Sequence, residues 1–411
     1  MREQQFNLLH DLLVRLDRNS SFYKEKFKKS GVRPEDIKSL DDIKNLPFTT
    51  KEELRDIYPL GLQVVPDEDI VRIHSSSGTT GKPVIIPYTA NDVQDWSIMM
   101  ARCFEVAGMT KQDRVQITPG FGLWTAGTGF QAGVERIGAM AVPTGPGNTE
   151  KQLQMMVDLK TTVLIGTSSY ALVIAEEVAK RGLHDKIHLK KGIIGSERWG
   201  EKMRKRISGE LNIELYDIYG LTEIYGPGIS IDCHLHNGIH YWDDYLYFEI
   251  IDPTTLQPVK EGEYGELVIT TLRKEGAPLL RYRTRDITRL IPGSCPCGLA
   301  YPRHDVIVGR TDDMVKVKGV NIYPGQIDEV LRDIDGVSSE YQVVIEHADG
   351  RDSMRLRVEK DQSVPTENLE KEVCTCFKSK IGIQIITEVV SLGFLPRSEK
   401  KSKRIFDYRY E

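Results

Sequence analysis

The chain has 411 residues, of which 40% are apolar and 28% charged, an ordinary composition for a globular protein of two or three domains. Its 55 basic and 60 acidic side chains give a formal net charge of −5, which disfavours nucleic-acid binding as the main function. No apolar run approaches the roughly 18 residues of a membrane span, and the polar start of the chain lacks a secretory signal. We therefore expect a cytoplasmic protein without a membrane partner. Six cysteines are too few for a disulfide scaffold, and the oligomeric state, including a homodimer, stays open.

Helices are predicted over residues 1 to about 60. Leu9, Leu12 and Leu16 recur at helical spacing and form one apolar stripe. A further helix start is indicated where Thr50 precedes Glu53 at the spacing of a capping box.

Residues 71–74 and 84–88 are predicted to form the two strands of a hairpin. The segment between them reads Ser75, Ser76, Ser77, Gly78, Thr79, Thr80, Gly81 and Lys82. Glycines allow several backbone N–H groups to point at one spot, the hydroxyls add donors, and the lysine adds charge. We interpret the segment as a phosphate-binding loop, although its spacing is not that of a Walker loop. A flexible linker is the alternative, which the flanking strands disfavour.

From about residue 90 to 200, predicted strands alternate with helical segments, and each of the last two strands ends at glycine. The strands are 114–118, 140–143, 162–166 and 192–195, with helices at 152–159 and 169–181. This alternation predicts an α/β fold with a largely parallel, doubly wound sheet, in which ligands bind beyond the carboxyl ends of the strands. A β subdomain is expected at about 240–305. We divide the chain into a large domain, 1–310, and a small α+β domain, 311–411.

Three functional groups follow the predicted strand 213–218. The ring of Tyr219 can stack on a flat base, the Thr222 hydroxyl can donate to a phosphate, and the Glu223 carboxylate can bind Mg²⁺. The alternative is a plain turn after a strand.

A carboxylate, Asp286, follows the basic stretch 281–285. Its carboxylate can accept hydrogen bonds from both hydroxyls of a ribose, as acidic residues do in dinucleotide sites. A surface ion-pair cluster is the alternative. Two further segments stand out, 309–316 at the domain boundary and the basic run 396–404, although terminal charge runs are usually only solvated.

In this order along the chain, these segments resemble the adenylate-forming superfamily of acyl-CoA synthetases, luciferases and peptide-synthetase adenylation domains. The match is closer still to the phenylacetate-CoA ligase family within it. The resemblance covers essentially the whole chain, including segments 22–27, 46–51, 295–298 and 309–324.

The resemblance implies a site for ATP. Thr222 would contact the α-phosphate, Glu223 would bind magnesium, and Asp312 would be the hinge between the domains. The remaining nucleotide-binding residues that it implies are Ser75, Ser76, Ser77, Gly78, Thr79, Thr80, Gly81, Lys82, Ser196, Glu197, Arg198, Asp217, Tyr219, Gly220, Asp286 and Arg310. The family more often has Gly-Ala-Glu-Pro where this chain has Gly-Ser-Glu-Arg at 195–198.

A catalytic lysine is expected near the carboxyl terminus. The family usually has Gly-Lys where this chain has Lys400 and Lys401, so the register favours Lys401, with Lys400 in the glycine position and Lys403 a third choice. An ammonium group there offsets the repulsion between the carboxylate and the α-phosphate. The resemblance further implies that the small domain rotates and presents the face 316–323 for thioester formation.

The acyl pocket is predicted around interleaved aromatic and small residues. The candidates are Phe121, Gly122, Trp124, Phe130 and Gly145. Such residues can line a flat slot for an aryl or arylacetic acid, with ordinary core packing as the alternative.

A structural zinc site is a further hypothesis. Cys233, Cys295 and Cys297 offer three thiols, and His240 is the preferred fourth ligand, with His236 and His234 as alternatives. The alternative is reduced cysteines in a turn. The other pair, Cys374 and Cys376, is predicted to lie in a structural helix.

The function expected is an AMP-forming acid–CoA ligase that uses ATP, Mg²⁺, coenzyme A and a small carboxylic acid. One alternative passes the acyl group to an amine or carrier protein. Another is a nucleotide-binding regulatory protein without catalysis, which only the altered lysine motif supports.

Overall fold

The computed structural model describes residues 2–76, 82–348, 351–361, 365–398 and 403–409. The helices in these ranges are α1 (Arg2–Asn19), α2 (Ser21–Ser30), α3 (Lys51–Asp56), α4 (Ala90–Val106), α5 (Thr125–Arg136), α6 (Thr149–Asp158), α7 (Ser168–Arg181), α8 (Glu201–Leu211), α9 (Pro324–Arg332) and α10 (Thr366–Ile381), with short 3-10 helices at Pro34–Asp36, Leu40–Asn45 and Asp67–Asp69. Over the described ranges, no helix combines the length and the apolar character needed to cross a membrane.

The strands in the described ranges are mostly short. They are β1 (Ile70–Ser75), β2 (Ile85–Thr89), β3 (Arg114–Ile117), β4 (Met140–Val142), β5 (Val163–Thr167), β6 (Lys191–Gly195), β7 (Glu214–Leu221), β8 (Gly226–Asp232), β9 (Ile239–Tyr241), β10 (Leu246–Ile251), β11 (Gly265–Thr271), β12 (Tyr282–Thr288), β13 (Leu290–Ile291), β14 (Arg303–His304), β15 (Gly309–Arg310), β16 (Val315–Val317), β17 (Val320–Ile322), β18 (Val337–Ala348), β19 (Arg351–Lys360), β20 (Ile386–Val390) and β21 (Ile405–Asp407).

The chain forms two compact units. The first consists of Met1–Pro146, Thr162–Ile165 and Tyr216–Val306, and the second of Gly147–Thr161, Gly166–Leu215 and Ile307–Glu411. Each unit therefore combines segments that are distant in sequence.

In the first unit, β1 and β2 pair antiparallel, as predicted for the hairpin that flanks the hydroxyl-rich loop. Strand β3 pairs in parallel with both β4 and β5, which agrees with the parallel sheet expected there. The antiparallel strands run in the order β13-β14-β9-β8-β7, and β10, β11 and β12 form an antiparallel meander. Helices α4 and α5 pack against β8. The strands expected at about 240–305 thus pair antiparallel, and a separate β subdomain there stays a prediction.

The second unit contains α6, α7, α8 and β6, together with the carboxyl-terminal segment. In that segment the sheet order is β20-β19-β18-β21, and helices α9 and α10 contact each other. The apolar faces of these elements enclose a separate core that includes Val317, Ile327, Leu356 and Phe377. Cys374 and Cys376 lie in α10 at the edge of this core, as predicted. The predicted α/β class with an α+β carboxyl-terminal part is confirmed.

Candidate functional site

Two hydrogen bonds between Ser76 and Val84 close the base of the hydroxyl-rich loop. The Ser76 hydroxyl accepts a hydrogen bond from the Val84 backbone at 2.9 Å, and the Ser76 N–H donates to the Val84 carbonyl at 3.0 Å. Ser75 is buried and its N–H donates to the Leu123 carbonyl. The exposed Lys82 places Nζ 5.6 Å from the centroid of the Tyr58 ring. Ser77, Gly78, Thr79, Thr80 and Gly81 lie outside the described residues.

Thr222 and Glu223 lie in the turn between β7 and β8. The Glu223 side chain is almost fully buried, and its Oε1 lies 2.9 Å from the Lys51 Nζ. Lys51 is the first residue of α3, which Thr50 caps through the N–H of Glu53. The sequence motif 46–51 contributed to the resemblance, but its pairing with Glu223 was missed because the two segments are far apart in sequence.

A buried lysine, Lys274, lies beside the same turn and was also missed. Its Nζ donates to the carbonyl of Ile224 and lies 4.3 Å from the Tyr88 ring centroid and 4.6 Å from that of Tyr225. Burial lowers the pKa of Lys274 to about 7, against the opposing attraction of Asp92 and Glu223. An isolated lysine after a strand carries no sequence signal of such burial.

Tyr219 and Asp286, predicted for the base and the ribose, meet in the first unit. The Tyr219 hydroxyl donates to Asp286 Oδ2 at 2.6 Å, and its ring lies edge-on to His304 at 5.5 Å. One residue further, a side chain on Gly220 would collide with the Gly226 carbonyl, since an ideal Cβ would lie 2.0 Å from that oxygen. Glycine therefore allows β7 and β8 to approach closely next to the candidate site.

The arginines that precede Asp286 have structural partners. Arg281 donates to both carboxylate oxygens of Glu249, at 2.9 and 3.1 Å, and Arg283 does the same with Glu266, at 2.6 and 3.0 Å. All four side chains are largely buried, so these are interior ion pairs rather than the surface cluster considered as the alternative.

The candidate residues 196–198 belong to the second unit. Ser196 adopts a positive φ of 71° and is exposed. The Glu197 carboxylate accepts hydrogen bonds from the Ser169 N–H at 3.1 Å and hydroxyl at 2.7 Å. Arg198 forms an ion pair with Asp328 of α9, and burial lowers its pKa.

Arg310 and Asp312 lie together, with a two-pronged contact of 2.8 and 2.9 Å between guanidinium and carboxylate.

Lys400 and Lys401 lie outside the described residues, and Lys403 Nζ is 5.0 Å from the Phe406 ring centroid. The catalytic lysine thus stays a prediction.

Two arginines fix the chain on either side of the undescribed segment 399–402. Arg397 binds Glu176 of α7 and Glu359 of β19, with N–O distances of 2.8 to 3.1 Å. Arg404 binds Glu340 at 2.9 Å. Both arginines are therefore held by acidic side chains of the second unit.

The residues proposed for the acyl pocket lie in α5 and in the loops after β3 and β4. A Cβ on Gly127 would approach the Phe121 ring to 2.8 Å, so glycine makes room for that ring. Trp124 is 47% exposed, whereas Phe130 is only 2% exposed and belongs to the core. Gly122 and Gly145 both have positive φ, 85° and 70°, in the loops at the ends of β3 and β4.

The cysteine cluster forms as expected from the sequence. One ligand atom from each of Cys233, His240, Cys295 and Cys297 lies within 4.8 Å of all the others. His236 points elsewhere, with its Nδ1 2.8 Å from Asp232 Oδ2. Of the three histidines considered, His240 is the one in the cluster.

Two family profiles match most of the chain. A sequence profile described as AMP-binding enzyme matches residues 14–272, and one described as AMP-binding enzyme C-terminal domain matches residues 319–409. The chain belongs to the AMP-binding enzyme family. The family predicted from the sequence motifs is thereby confirmed.

Curated relatives in this family cover nearly the full chain. The phenylacetate-coenzyme A ligase of Escherichia coli strain K12 is 40% identical over 95% of this chain and 91% of its own length. Those of Pseudomonas putida and Thermus thermophilus are 39% and 37% identical over 100% of this chain, covering 94% and 97% of their own lengths.

Solved structures in the family share the fold. A 2-hydroxyisobutyryl-CoA ligase in the postadenylation state with 2-HIB-AMP has a TM-score of 0.90 and 28% identity, over 99% of this chain and 90% of its own. The same enzyme with 2-HIB-AMP and CoA in the thioesterification state has a TM-score of 0.73, with 28% identity over 100% of this chain and 90% of its own.

Proposed function

We propose that this chain joins an aryl or arylacetic acid to coenzyme A with ATP, through an acyl-adenylate. The chain is an AMP-forming acid–CoA ligase, and its relatives named phenylacetate-coenzyme A ligase favour an arylacetic substrate. The observation that carries the proposal is the end of β7 and its turn to β8, where Tyr219 donates to Asp286 and Glu223 lies beside Lys51, in a chain of this family.

The nucleotide would be held by residues of several elements. The hydroxyl-rich loop 75–82 would bind the β- and γ-phosphates, and Thr222 the α-phosphate. Tyr219 would stack on adenine, with segment 196–198 at the rim. Asp286 would accept hydrogen bonds from the ribose hydroxyls, supported by its position beside Tyr219, whose hydroxyl donates to its Oδ2.

Magnesium fits the Glu223 carboxylate, because this ion prefers oxygen ligands and shares them with phosphates. When bound, the ion neutralises charge that builds up on the phosphates. Glu223 is buried and its Oε1 lies 2.9 Å from the Lys51 Nζ, so this pair fixes the carboxylate in the turn between β7 and β8.

Lys401 would act in the first half-reaction. A substrate carboxylate oxygen forms a bond to the α-phosphorus, and the bond between the α-phosphorus and pyrophosphate breaks. The ammonium group offsets the negative charges of the carboxylate and the α-phosphate as they approach each other. In the second half-reaction the CoA thiolate attacks the acyl carbon and AMP leaves. We place the hinge for domain rotation at Asp312, between domains 1–310 and 311–411, with the face 316–323 presented to CoA.

The acid would lie among Phe121, Gly122, Trp124 and Gly145. Trp124 offers an exposed indole and the two glycines leave space for a flat ring. Phe130 would support this wall from the core rather than contact the acid.

A product assay with the full chain tests the function. Phenylacetate, benzoate, hydroxylated aryl acids and medium-chain fatty acids are each supplied with ATP, Mg²⁺ and CoA, and acyl-CoA and AMP are quantified. We expect an arylacetyl-CoA and AMP in equal amounts. Absence of AMP with every acid, or preference for the fatty acids, contradicts the proposal.

Single lysine variants test the catalytic assignment. Lys401→Ala is expected to lower acid-dependent pyrophosphate exchange by about a hundredfold or more, because a charge placed for the transition state is lost. Lys403→Ala is the matched control and keeps most of the exchange. Unchanged exchange in Lys401→Ala with loss in Lys400→Ala moves the role to Lys400.

A further inference from the structure

We propose that Cys233, His240, Cys295 and Cys297 bind one zinc ion that stabilises the strands behind the nucleotide site. The four residues come from three separate segments: the end of β8, strand β9 and the turn between β13 and β14. Their ligand atoms nevertheless converge within 4.8 Å of one another. Three thiols and one imidazole are a recurrent tetrahedral zinc set.

The distances within the cluster suit a shared ion. Cys233 Sγ lies 3.9 Å from Cys295 Sγ, and Cys297 Sγ lies 3.4 Å from His240 Nε2. In a tetrahedron with Zn–S of about 2.3 Å and Zn–N of about 2.0 Å, the sulfur–sulfur and sulfur–nitrogen edges are about 3.8 and 3.5 Å. A disulfide requires a sulfur–sulfur distance of about 2.05 Å. The spacing therefore fits metal ligation and excludes a bond between these two sulfurs.

The imidazole is held in the orientation that ligation requires. His240 Nδ1 lies 2.9 Å from the Tyr301 carbonyl oxygen, which can only accept a hydrogen bond. Nδ1 therefore carries the proton, and the lone pair of Nε2 faces the Cys297 sulfur. A backbone carbonyl behind a ligating histidine is the usual arrangement around protein-bound zinc.

The cluster is closed, which favours a structural rather than a catalytic ion. His240 is fully buried, and Cys233 and Cys295 are 1% and 5% exposed. Four protein ligands leave no position for substrate. The buried Arg303 braces the same turn, because its guanidinium donates to the carbonyls of Asn237 and Ser294.

The ion would reinforce strand β7 indirectly. Cys233 follows Asp232, whose Oδ1 accepts the N–H of Asp217 at 2.8 Å. Asp217 precedes Tyr219 by two residues on β7, and Tyr219 in turn donates to Asp286. Loss of zinc should therefore loosen the end of β8 and the strand that carries the base-stacking ring. Only this last consequence rests on the proposed function.

Metal analysis of the full chain tests the site. The protein is produced without a histidine tag or added zinc, and its metals are measured by mass spectrometry. We expect about one zinc per chain. Replacement by Co²⁺ should give intense thiolate-to-cobalt charge-transfer bands and the d–d bands of tetrahedral coordination. Absence of both zinc and these cobalt bands overturns the proposal.

Cysteine variants separate this cluster from other thiols. Cys297→Ser should lose most of the zinc and weaken the cobalt charge-transfer bands, whereas Cys376→Ser, in the other Cys-x-Cys pair, should keep both. Wild-type zinc content in Cys297→Ser also overturns the proposal. If Cys297→Ser is poorly folded by circular dichroism, the wild-type cobalt spectrum still decides. Zinc in a protein that makes no acyl-CoA would refute the ligase function and leave the metal site standing.

Discussion

Glu223 combines burial with a charged partner, and its replacement tests the magnesium role. Glu223→Gln keeps the shape and removes the charge, so we expect weaker Mg²⁺ dependence and at least about a tenfold slower pyrophosphate exchange. The measurement is exchange as a function of Mg²⁺ concentration.

The matched control for this change is Glu52→Gln. Glu52 is 62% exposed and lies 3.6 Å from Arg285, so its replacement should leave the Mg²⁺ dependence as in the wild type. An unchanged Mg²⁺ dependence in Glu223→Gln would remove this residue from the metal site.

His74 makes the folding stability of the first unit sensitive to acid. It is buried against the rings of Tyr88 and Trp96, and its Nδ1 is 3.3 Å from the Leu123 carbonyl. Burial lowers the pKa of His74 to about 4, with Arg72 and Lys274 adding to the effect. The unfolded chain binds this proton from about pH 6.5 downward and the folded chain does not, so stability falls between about pH 6.5 and 4.

The variant His74→Phe should therefore lose less stability than the wild type between pH 7 and 5, although it starts from a lower value because a hydrogen bond is missing. Urea denaturation at both pH values measures the difference. His188→Gln, on the exposed surface, is the control and should follow the wild type. Equal acid sensitivity in His74→Phe and wild type would contradict the argument.

At the scale of single residues, the sequence shows which residue types follow the strands but not which distant residues they contact. Tyr219, Glu223 and Asp286 were predicted because hydroxyl and carboxylate groups follow strand-like segments. Lys51 and Lys274 were not, since their pairing depends on how remote segments pack, which no local pattern encodes.

Among the elements, Arg281 ties the amino-terminal segment to the β subdomain. It binds Glu249 of β10, donates to the carbonyls of Lys44 and Leu46, and stacks on Phe48 at 4.0 Å. Arg281→Met leaves the buried Glu249 charge without its partner, so we expect a loss of about 3–5 kcal/mol in unfolding free energy. Urea denaturation measures it.

The control at the element scale is Arg289→Met. Arg289 pairs with Asp305 at 2.9 Å but is 42% exposed, so its loss should cost less than about 1 kcal/mol. Equal destabilisation by the two variants would show that burial of the Arg281 pair has no special energetic role.

The elements themselves were largely predictable. The hairpin β1–β2, the parallel strands β3 to β5 and helix α10 have local periodicity or turn residues that specify them. The short pair β13 and β14 was not predicted, because two-residue strands leave no periodic pattern. Their turn carries Cys295 and Cys297 of the cysteine cluster, which only long-range spacing suggested.

In the whole molecule, Arg397 ties the carboxyl-terminal segment to α7, because it pairs with both Glu176 of α7 and Glu359 of β19. Arg397→Ala removes the bonds to Glu176 and Glu359, and we expect acyl-adenylate formation to slow by at least about tenfold, because a misplaced group loses its effect. Thioester formation from a synthetic acyl-adenylate should change less.

Single-turnover measurements of the two half-reactions test this, with Arg332→Ala as control. Arg332 is exposed and pairs with Asp333, so the variant Arg332→Ala should run both half-reactions at the wild-type rates. Equal slowing of both half-reactions in Arg397→Ala would contradict a role specific to adenylation.

The large-scale organisation was only partly readable from the sequence. The change to β-rich and then α+β character near residues 240 and 310 was visible in composition and pattern. The joining of segments such as Gly166–Leu215 and Ile307–Glu411 in one compact unit was not, because it depends on pairs like Arg397 and Glu176 that lie far apart in the chain.

Isotope transfer tests the central claim most directly. Phenylacetate whose carboxylate carries a heavy isotope of oxygen is incubated with the enzyme, ATP, Mg²⁺ and CoA, and the AMP is analysed by mass spectrometry. Attack of the carboxylate on the α-phosphorus predicts that each AMP gains one labelled oxygen as acyl-CoA forms. Unlabelled AMP, or label found in inorganic phosphate beside ADP, would contradict an acyl-adenylate in this enzyme.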